Sequence, residues 1–162
     1  DRLMLHRNDA LIVDLWTVLD DLETARLRSA KVSSRAAMAA LESAVRLWSG
    51  PILPDLREVD ALRPELQALD QRLFDAGIDL AQWLLSDGQL TEARVLAERL
   101  FELEPMSEPA RGVLIAVYLE DGDLAAAGQA IDEYTAVLRA AGREPGPTIR
   151  MLTKRYEVTS AA

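Results

Sequence analysis

The sequence predicts an all-α fold of about seven helices, paired as antiparallel hairpins. Three observations support this fold class. Ala, Leu, Arg and Glu are frequent in the 162 residues, and these residues lose little rotamer freedom in a helix. Aromatic residues, which favour strands, make up only 5% of the chain. Apolar residues recur at helical spacing through most of its length.

The first predicted elements lie in the N-terminal third of the chain. Residues 1–13 contain two short apolar runs on either side of a polar turn, which favours a β-hairpin. Apolar residues at helical spacing then predict a helix over 14–30 and another over 34–48. The second of these helices is expected to stop before Gly50 and Pro51, because a proline cannot continue a helix and a glycine readily adopts the left-handed conformation that ends one.

A long helix is predicted over 63–86, and four shorter helices follow it. Short connections that contain glycine separate these helices, and such connections make neighbouring helices antiparallel. The last helix is expected to end at 157, which leaves 158–162 as a disordered tail. The four shorter helices are predicted over 90–104, 108–120, 124–141 and 147–157.

An internal repeat is the strongest signal in the sequence. Gly88 and Gly122 lie 34 residues apart, and so do Ala93 and Ala127. This is the period of tetratricopeptide repeats, in which the glycine turns one helix back on its partner. The alanine is small because the two helix backbones cross closely beside it. Two such hairpins are predicted, at about 75–104 and 108–141.

Two hairpins are fewer than the three or more that a free-standing repeat array needs. The remaining helices are therefore expected to cover the ends of the array. Together they predict one compact tetratricopeptide-like domain over 14–157, with its hairpins arranged in a short right-handed superhelix.

The repeat register also predicts a groove that binds a protein partner. In tetratricopeptide arrays the first helix of each hairpin lines the inner surface. This groove would be mostly small and apolar, and an open apolar groove is unfavourable in water. A helix is expected to fill it, either the chain's own segment 147–157 or a helix from a partner. The residues expected to line the groove are Ile78, Gln82, Leu85, Ala116, Leu119 and Glu120.

Charge is distributed unevenly along the chain. The net charge of −9 argues against direct binding to nucleic acid, which requires clustered Lys and Arg. Residues 86–133 hold 11 acids and 3 bases, a net −8, whereas residues 134–162 hold 2 acids and 5 bases, a net +3. These two segments are expected to attract each other within or between chains, although a purely solvated acidic face is an equal alternative.

The residue pattern predicts no catalysis, no cofactor and no metal site. The chain has no cysteine, and His6 is its one histidine, so the usual zinc ligands are lacking. The acidic clusters near residues 20–23 and 120–123 are interpreted as solvated surface rather than as acid–base pairs. No apolar run approaches the roughly 20 residues that span a bilayer, so a cytoplasmic protein is expected.

Several short motifs occur in the order that is found in a known family. They are Leu47-Trp48-Ser49-Gly50-Pro51-Ile52-Leu53, Glu104-Pro105-Met106-Ser107-Glu108, Tyr118-Leu119-Glu120-Asp121-Gly122 and Gly142-Arg143-Glu144-Pro145-Gly146-Pro147. Over residues 10–157 the chain resembles the bacterial transcriptional activator domain. In regulators of the Streptomyces antibiotic regulatory protein type, that domain follows a winged-helix DNA-binding domain.

The resemblance implies a non-catalytic regulatory domain that acts through protein–protein interaction. The partner would be a second copy, giving a possible homodimer, or the transcription machinery. DNA would be bound only by a separate domain, of which residues 1–13 would be a remnant. Two alternatives stay open: a free-standing tetratricopeptide-like adaptor or scaffold with no link to transcription, and a small-molecule-binding effector domain in the same helical fold.

Overall fold

The computed structural model describes residues 20–21, 23, 35–48, 51–52, 55 and 58–161. Six helices and no strand are defined among these residues, which confirms the predicted all-α fold class. The helices are α1 (Arg35–Leu47), α2 (Arg63–Ser86), α3 (Leu90–Leu103), α4 (Glu108–Asp121), α5 (Leu124–Ala140) and α6 (Pro147–Ser160).

The helix boundaries agree closely with the sequence prediction, except at the two ends of the chain. Of the helix predicted over 14–30, only Asp20, Asp21 and Glu23 are described, and these are helical. The rest of that helix and the hairpin predicted over 1–13 lie outside the described residues.

At the C-terminus, α6 continues to Ser160, so part of the segment assigned to a disordered tail is helical. Two hydroxyl groups in this last turn donate to backbone carbonyl oxygens three and four residues earlier. The Thr159 hydroxyl donates to the Arg155 carbonyl at 2.9 Å, and the Ser160 hydroxyl donates to the Glu157 carbonyl at 3.2 Å.

The chain forms two compact units, Asp1–Ala76 and Gly77–Ala162, where the sequence predicts one compact domain. The division falls inside α2, and the 34-residue repeat of glycines and alanines belongs entirely to the second unit. In the first unit, the side chain of Trp48 is buried. The Ile52 amide donates to the Asp70 carboxylate at 2.9 Å, which ties the segment after α1 to α2.

The two repeat glycines have the backbone conformation that the sequence predicts. Gly88 has φ of 78° and Gly122 has φ of 77°, a left-handed conformation that costs other residues free energy. After each glycine, a backbone amide closes the helix end by donating to a carbonyl five residues earlier. These bonds are Gln89 to Leu84 and Asp123 to Tyr118, each 2.9 Å long, and the second pair follows the first by 34 residues.

Helices α3 and α4 run antiparallel, as contacts near their two ends show. The Arg94 guanidinium lies 5.2 Å from the centre of the Tyr118 ring. Toward the other end, the Arg111 guanidinium lies 3.6 Å from the centre of the Phe101 ring. A residue early in α3 therefore meets one late in α4, and the reverse.

Helix α5 runs back along α4 and completes the second hairpin. The Tyr134 hydroxyl, late in α5, donates to the Met106 carbonyl at 3.0 Å, just before α4 begins. At the turn end, Leu119 of α4 and Ala127 of α5 share one buried apolar cluster. Ala93 and Ala127, which the repeat places where two helices are expected to cross, are both fully buried.

Helix α6 packs on α4 and α5 and runs parallel to α4. Near its start, Thr148 lies beside Gly112, where an added Cβ atom would be 3.1 Å from the threonine methyl group. Seven residues further along α6, Arg155 forms an ion pair of 2.9 Å with Glu120 at the end of α4. Helix α6 thus occupies the position of the first helix of a third hairpin.

Candidate protein-binding site

A pocket of about 440 Å³ opens at the turn end of the first hairpin. The end of α2, the glycine turn and the start of α3 form two of its sides, and the end of α4 forms the third. Its walls combine leucine side chains with an amide, a hydroxyl and a carboxylate. The lining residues are Gln82, Leu85, Ser86, Gly88, Leu90 and Glu120.

The structure brings together three of the six residues that the sequence predicts in the groove. Gln82, Leu85 and Glu120 line the pocket. Ile78 and Leu119 are each only 7% exposed and belong to the core. The last of the six, Ala116, is half-buried and packs against the same apolar cluster as Leu119.

The pocket also contains Gly88 and Leu90, and Gly88 was expected only as the residue of the hairpin turn. Its sequence signal was the 34-residue repeat, which identifies a turn and gives no information about a cavity beside it. The shape of the pocket depends on side-chain packing, which a repeat register does not reveal.

Helix α6 fills one part of the predicted groove and leaves the other open. A Cβ atom on Gly112 would meet Thr148 and Leu152 of α6, so α6 covers α4 there. Ile149 is fully buried and lies in the same apolar cluster as Ile115 and Tyr134. The described lining of the pocket includes no residue of α6, so the end of the groove beside α2 stays accessible.

The Glu108 carboxylate caps the N-terminus of α6. It accepts three backbone N–H groups: from Gly146 at 2.9 Å, from Thr148 at 3.1 Å and from Ile149 at 3.4 Å. Gly146, the N-cap residue of α6, has no side chain that could do this. A Cβ atom on Gly146 would also overlap the Glu108 carboxylate, so glycine permits the close approach. A negative charge is favourable at a helix N-terminus, where N–H groups are unpaired.

Replacing Glu108 by Ala is expected to lower the free energy of unfolding by about 1–3 kcal/mol, because three amides then lose a charged acceptor. Glu108→Gln keeps one acceptor oxygen and should cost less. Urea unfolding measures both changes, with Glu104→Ala as the control because Glu104 is an exposed glutamate at the end of α3, four residues earlier. Equal effects of Glu104→Ala and Glu108→Ala would contradict the capping role.

A buried arginine joins the two hairpins of the second unit. Arg111 is 4% exposed, with its guanidinium stacked on Phe101 and 5.7 Å from the Tyr134 ring centre. A carboxylate oxygen of Glu133 lies 3.8 Å away. Burial lowers the pKa of Arg111, and the nearby Glu133 partly opposes that change. Stacking on aromatic rings compensates part of the lost hydration, so Arg111 supports packing rather than an exposed site.

A comparison with protein families identifies this helical arrangement. The model of the bacterial transcriptional activator domain matches residues 13–155. The chain belongs to this family. The family resemblance that the sequence motifs indicated is therefore confirmed, and the activator domain is a domain of a transcriptional regulator.

The chain is also similar to two proteins that are described as transcriptional regulatory proteins. The transcriptional regulatory protein EmbR of Mycobacterium tuberculosis and that of Mycobacterium bovis are each 33% identical to it over 116 residues, which is 71% of this chain. The aligned segment spans 30% of the length of EmbR, so the relatives are much longer than the region they share with it. No solved structure matches this chain.

Two family motifs of the activator domain are in direct contact. Glu108 ends the motif that begins at Glu104, and Gly146 lies in the motif that begins at Gly142. The Gly146 amide donates to the Glu108 carboxylate across 38 residues of sequence. Met106, in the motif that ends at Glu108, accepts a hydrogen bond from the hydroxyl of Tyr134, which is 1% exposed. These motif residues thus hold the helices together, and the pocket lies apart from them.

Among the residues that the structure describes, no three His, Cys, Asp or Glu side chains are grouped as metal ligands would be. None of the helices defined there is long and apolar enough to cross a membrane.

Proposed function

We propose that the activator domain is a protein–protein interaction module of a bacterial transcriptional regulator. Its pocket would receive a segment of a second copy or of the transcription machinery, while DNA is bound by a separate domain. This function implies a cytoplasmic location and a binding role without catalysis. The observation that carries the proposal is the open pocket at Gln82, Leu85 and Glu120, set on packed helices of a regulator domain.

The chemistry of the pocket suits one apolar side chain of a partner together with hydrogen-bonding groups around it. Leu85 and Leu90 supply apolar surface, and the exposed Gln82 amide both donates and accepts. The Ser86 hydroxyl already donates to the Trp83 carbonyl at 2.7 Å, so its lone pairs remain as acceptors. Glu120 is paired with Arg155, so the carboxylate presents a largely neutralised charge to a ligand.

The test is to fill the pocket and measure binding. Gln82→Arg places a longer, charged side chain at the pocket without disturbing the core, since Gln82 is exposed. We expect it to weaken binding to RNA polymerase or to a second copy by about tenfold or more, the loss of one well-placed apolar contact. Pull-down with bacterial RNA polymerase and light scattering of the purified chain measure the two interactions.

Gln129→Arg is the matched control, because Gln129 is an equally polar, exposed residue on α5. The proposal is wrong if Gln82→Arg and Leu85→Asp both retain wild-type binding to polymerase and wild-type self-association. It is also wrong if the wild-type chain shows neither interaction.

A further inference from the structure

The outward side of α6 exposes two large apolar side chains. Met151 is 64% exposed and Val158 is 66% exposed, more than any other large apolar residue among those the structure describes. They are seven residues apart, which places them on one side of a helix two turns apart. Ile149 and Leu152 are buried on the opposite side. Helix α6 therefore has one apolar side buried in the domain and a second, smaller apolar stripe that faces solvent.

Basic residues flank this apolar stripe. Helix α6 contains Arg150, Lys154 and Arg155 but only one acid, Glu157. Arg155 pairs with Glu120, and Arg150 donates to the Pro145 carbonyl at 2.6 Å. Lys154 is exposed and forms no ion pair with any residue that the structure describes. Glu157 lies on the same side, three residues after Lys154, so two positive charges and one negative charge give this side a net charge of +1.

The position of α6 in the repeat indicates that its outer face suits a helical partner. Helix α6 packs on α4 and α5 as the first helix of a hairpin does. In the two complete hairpins, the first helix packs against a second helix. Met151 and Val158 face away from α4 and α5, because Ile149 and Leu152 on the opposite side are buried in the cluster with those helices.

We propose that the outer face of α6, defined by Arg150, Met151, Lys154 and Val158, binds an amphipathic helix of a partner whose apolar stripe is flanked by Asp or Glu. The partner's apolar residues cover Met151 and Val158, and its carboxylates face Lys154 and Arg150. This face is separate from the pocket, so the inference does not depend on pocket binding.

Two other occupants fit the observations less well. Nucleic acid would require more clustered bases than this face offers. A second copy that used the same face would place Lys154 near its own equivalent, and like charges in contact oppose association. A short acidic helix needs only the few positive charges of this face, and its carboxylates attract Lys154.

The experiment uses two synthetic helical peptides of the same length as α6. One carries leucines at helical spacing flanked by glutamates, and its twin has every glutamate replaced by lysine. Fluorescence anisotropy of the labelled peptides measures binding to the whole chain. We expect binding of the glutamate peptide only, and weaker binding as salt is raised.

Variants of the chain locate the site. Met151→Ser combined with Val158→Ser should weaken binding by about tenfold or more, and Lys154→Gln by a few-fold. The controls are Val95→Ser, at a 62% exposed position on α3, and Arg139→Gln near the end of α5. Unchanged helix content and urea midpoint show that each variant is folded, as expected for exposed positions.

Three results would overturn the proposal. The first is equal binding of both peptides or of neither. The second is binding that survives the double substitution. The third is self-association that the double substitution abolishes, which would make a second copy the occupant. Gln82→Arg should leave peptide binding unchanged, so a failure at α6 is distinguishable from a failure at the pocket.

Discussion

Replacing Ile149 by Asp should detach α6 from the second unit and cause one of the largest losses of stability in the chain. Ile149 is fully buried and belongs to the cluster that joins α4, α5 and α6. Replacing a buried isoleucine by alanine lowers the free energy of unfolding by about 2–5 kcal/mol, and a buried carboxylate adds the cost of its lost hydration. We expect Ile149→Ala within that range and Ile149→Asp at its upper end or beyond.

The neighbouring residue Met151 gives the control for this prediction. It lies on the same helix only two residues away but is 64% exposed. Met151→Asp should change the free energy of unfolding by about 0.5 kcal/mol or less, as at most surface positions. Urea unfolding measures all three variants. Comparable losses for Ile149→Asp and Met151→Asp would show that α6 is not docked through Ile149.

Detachment of α6 should also be visible locally. Gly112 would become exposed, and the Glu108 carboxylate would lose the hydrogen bonds that three backbone amides donate to it. Hydrogen exchange of the Gly146, Thr148 and Ile149 amides should therefore speed up in Ile149→Ala before the chain unfolds globally. The same amides should be faster in Glu108→Ala, which links the two variants to one event.

Local signals predicted most of the helical architecture. Helix ends were readable because Gly88 and Gly122 tolerate the left-handed conformation that ends a helix, while the fixed φ of Pro147 suits the first turn of one. The pairing of the hairpins followed from the 34-residue repeat, which shows which positions are equivalent. Charge attraction between the acidic middle and the basic end was also realised within the chain, in the ion pair of Glu120 with Arg155.

Contacts between distant residues were beyond the reach of these signals. The capping of α6 by Glu108 joins residues 38 positions apart, and no periodicity connects a glutamate in one motif to a glycine in another. Ile78 and Leu119 were assigned to the groove because register gives the direction of a side chain and not its burial. The stacking of Arg111 on Phe101 was missed because arginine is usually a surface residue.

Tyr134 is the other position where a substitution should have a large effect. Its ring is almost fully buried beside Arg111, and its hydroxyl donates to the Met106 carbonyl. Tyr134→Ala should lower the free energy of unfolding by about 3–5 kcal/mol, the usual cost of removing a buried aromatic ring. Tyr134→Phe keeps the ring and should cost only about 0.5–1.5 kcal/mol for the lost hydrogen bond. A larger loss for Phe than for Ala would contradict the packing role.

The same hydroxyl predicts how stability depends on alkaline pH. Burial raises the pKa of Tyr134 above its ordinary value, so the folded protein keeps the phenolic proton where the unfolded chain has lost it. The contribution of Tyr134 to the free energy of unfolding is complete below a pH of about 10, which is its pKa in the unfolded chain. This contribution decreases as the pH rises through the higher pKa of the folded state. Tyr134→Phe should make this decline shallower. Part of the decline should remain, because burial also raises the pKa of Tyr118. Urea midpoints measured between neutral and strongly alkaline pH test this, and identical slopes for wild type and Tyr134→Phe would exclude Tyr134 as a source.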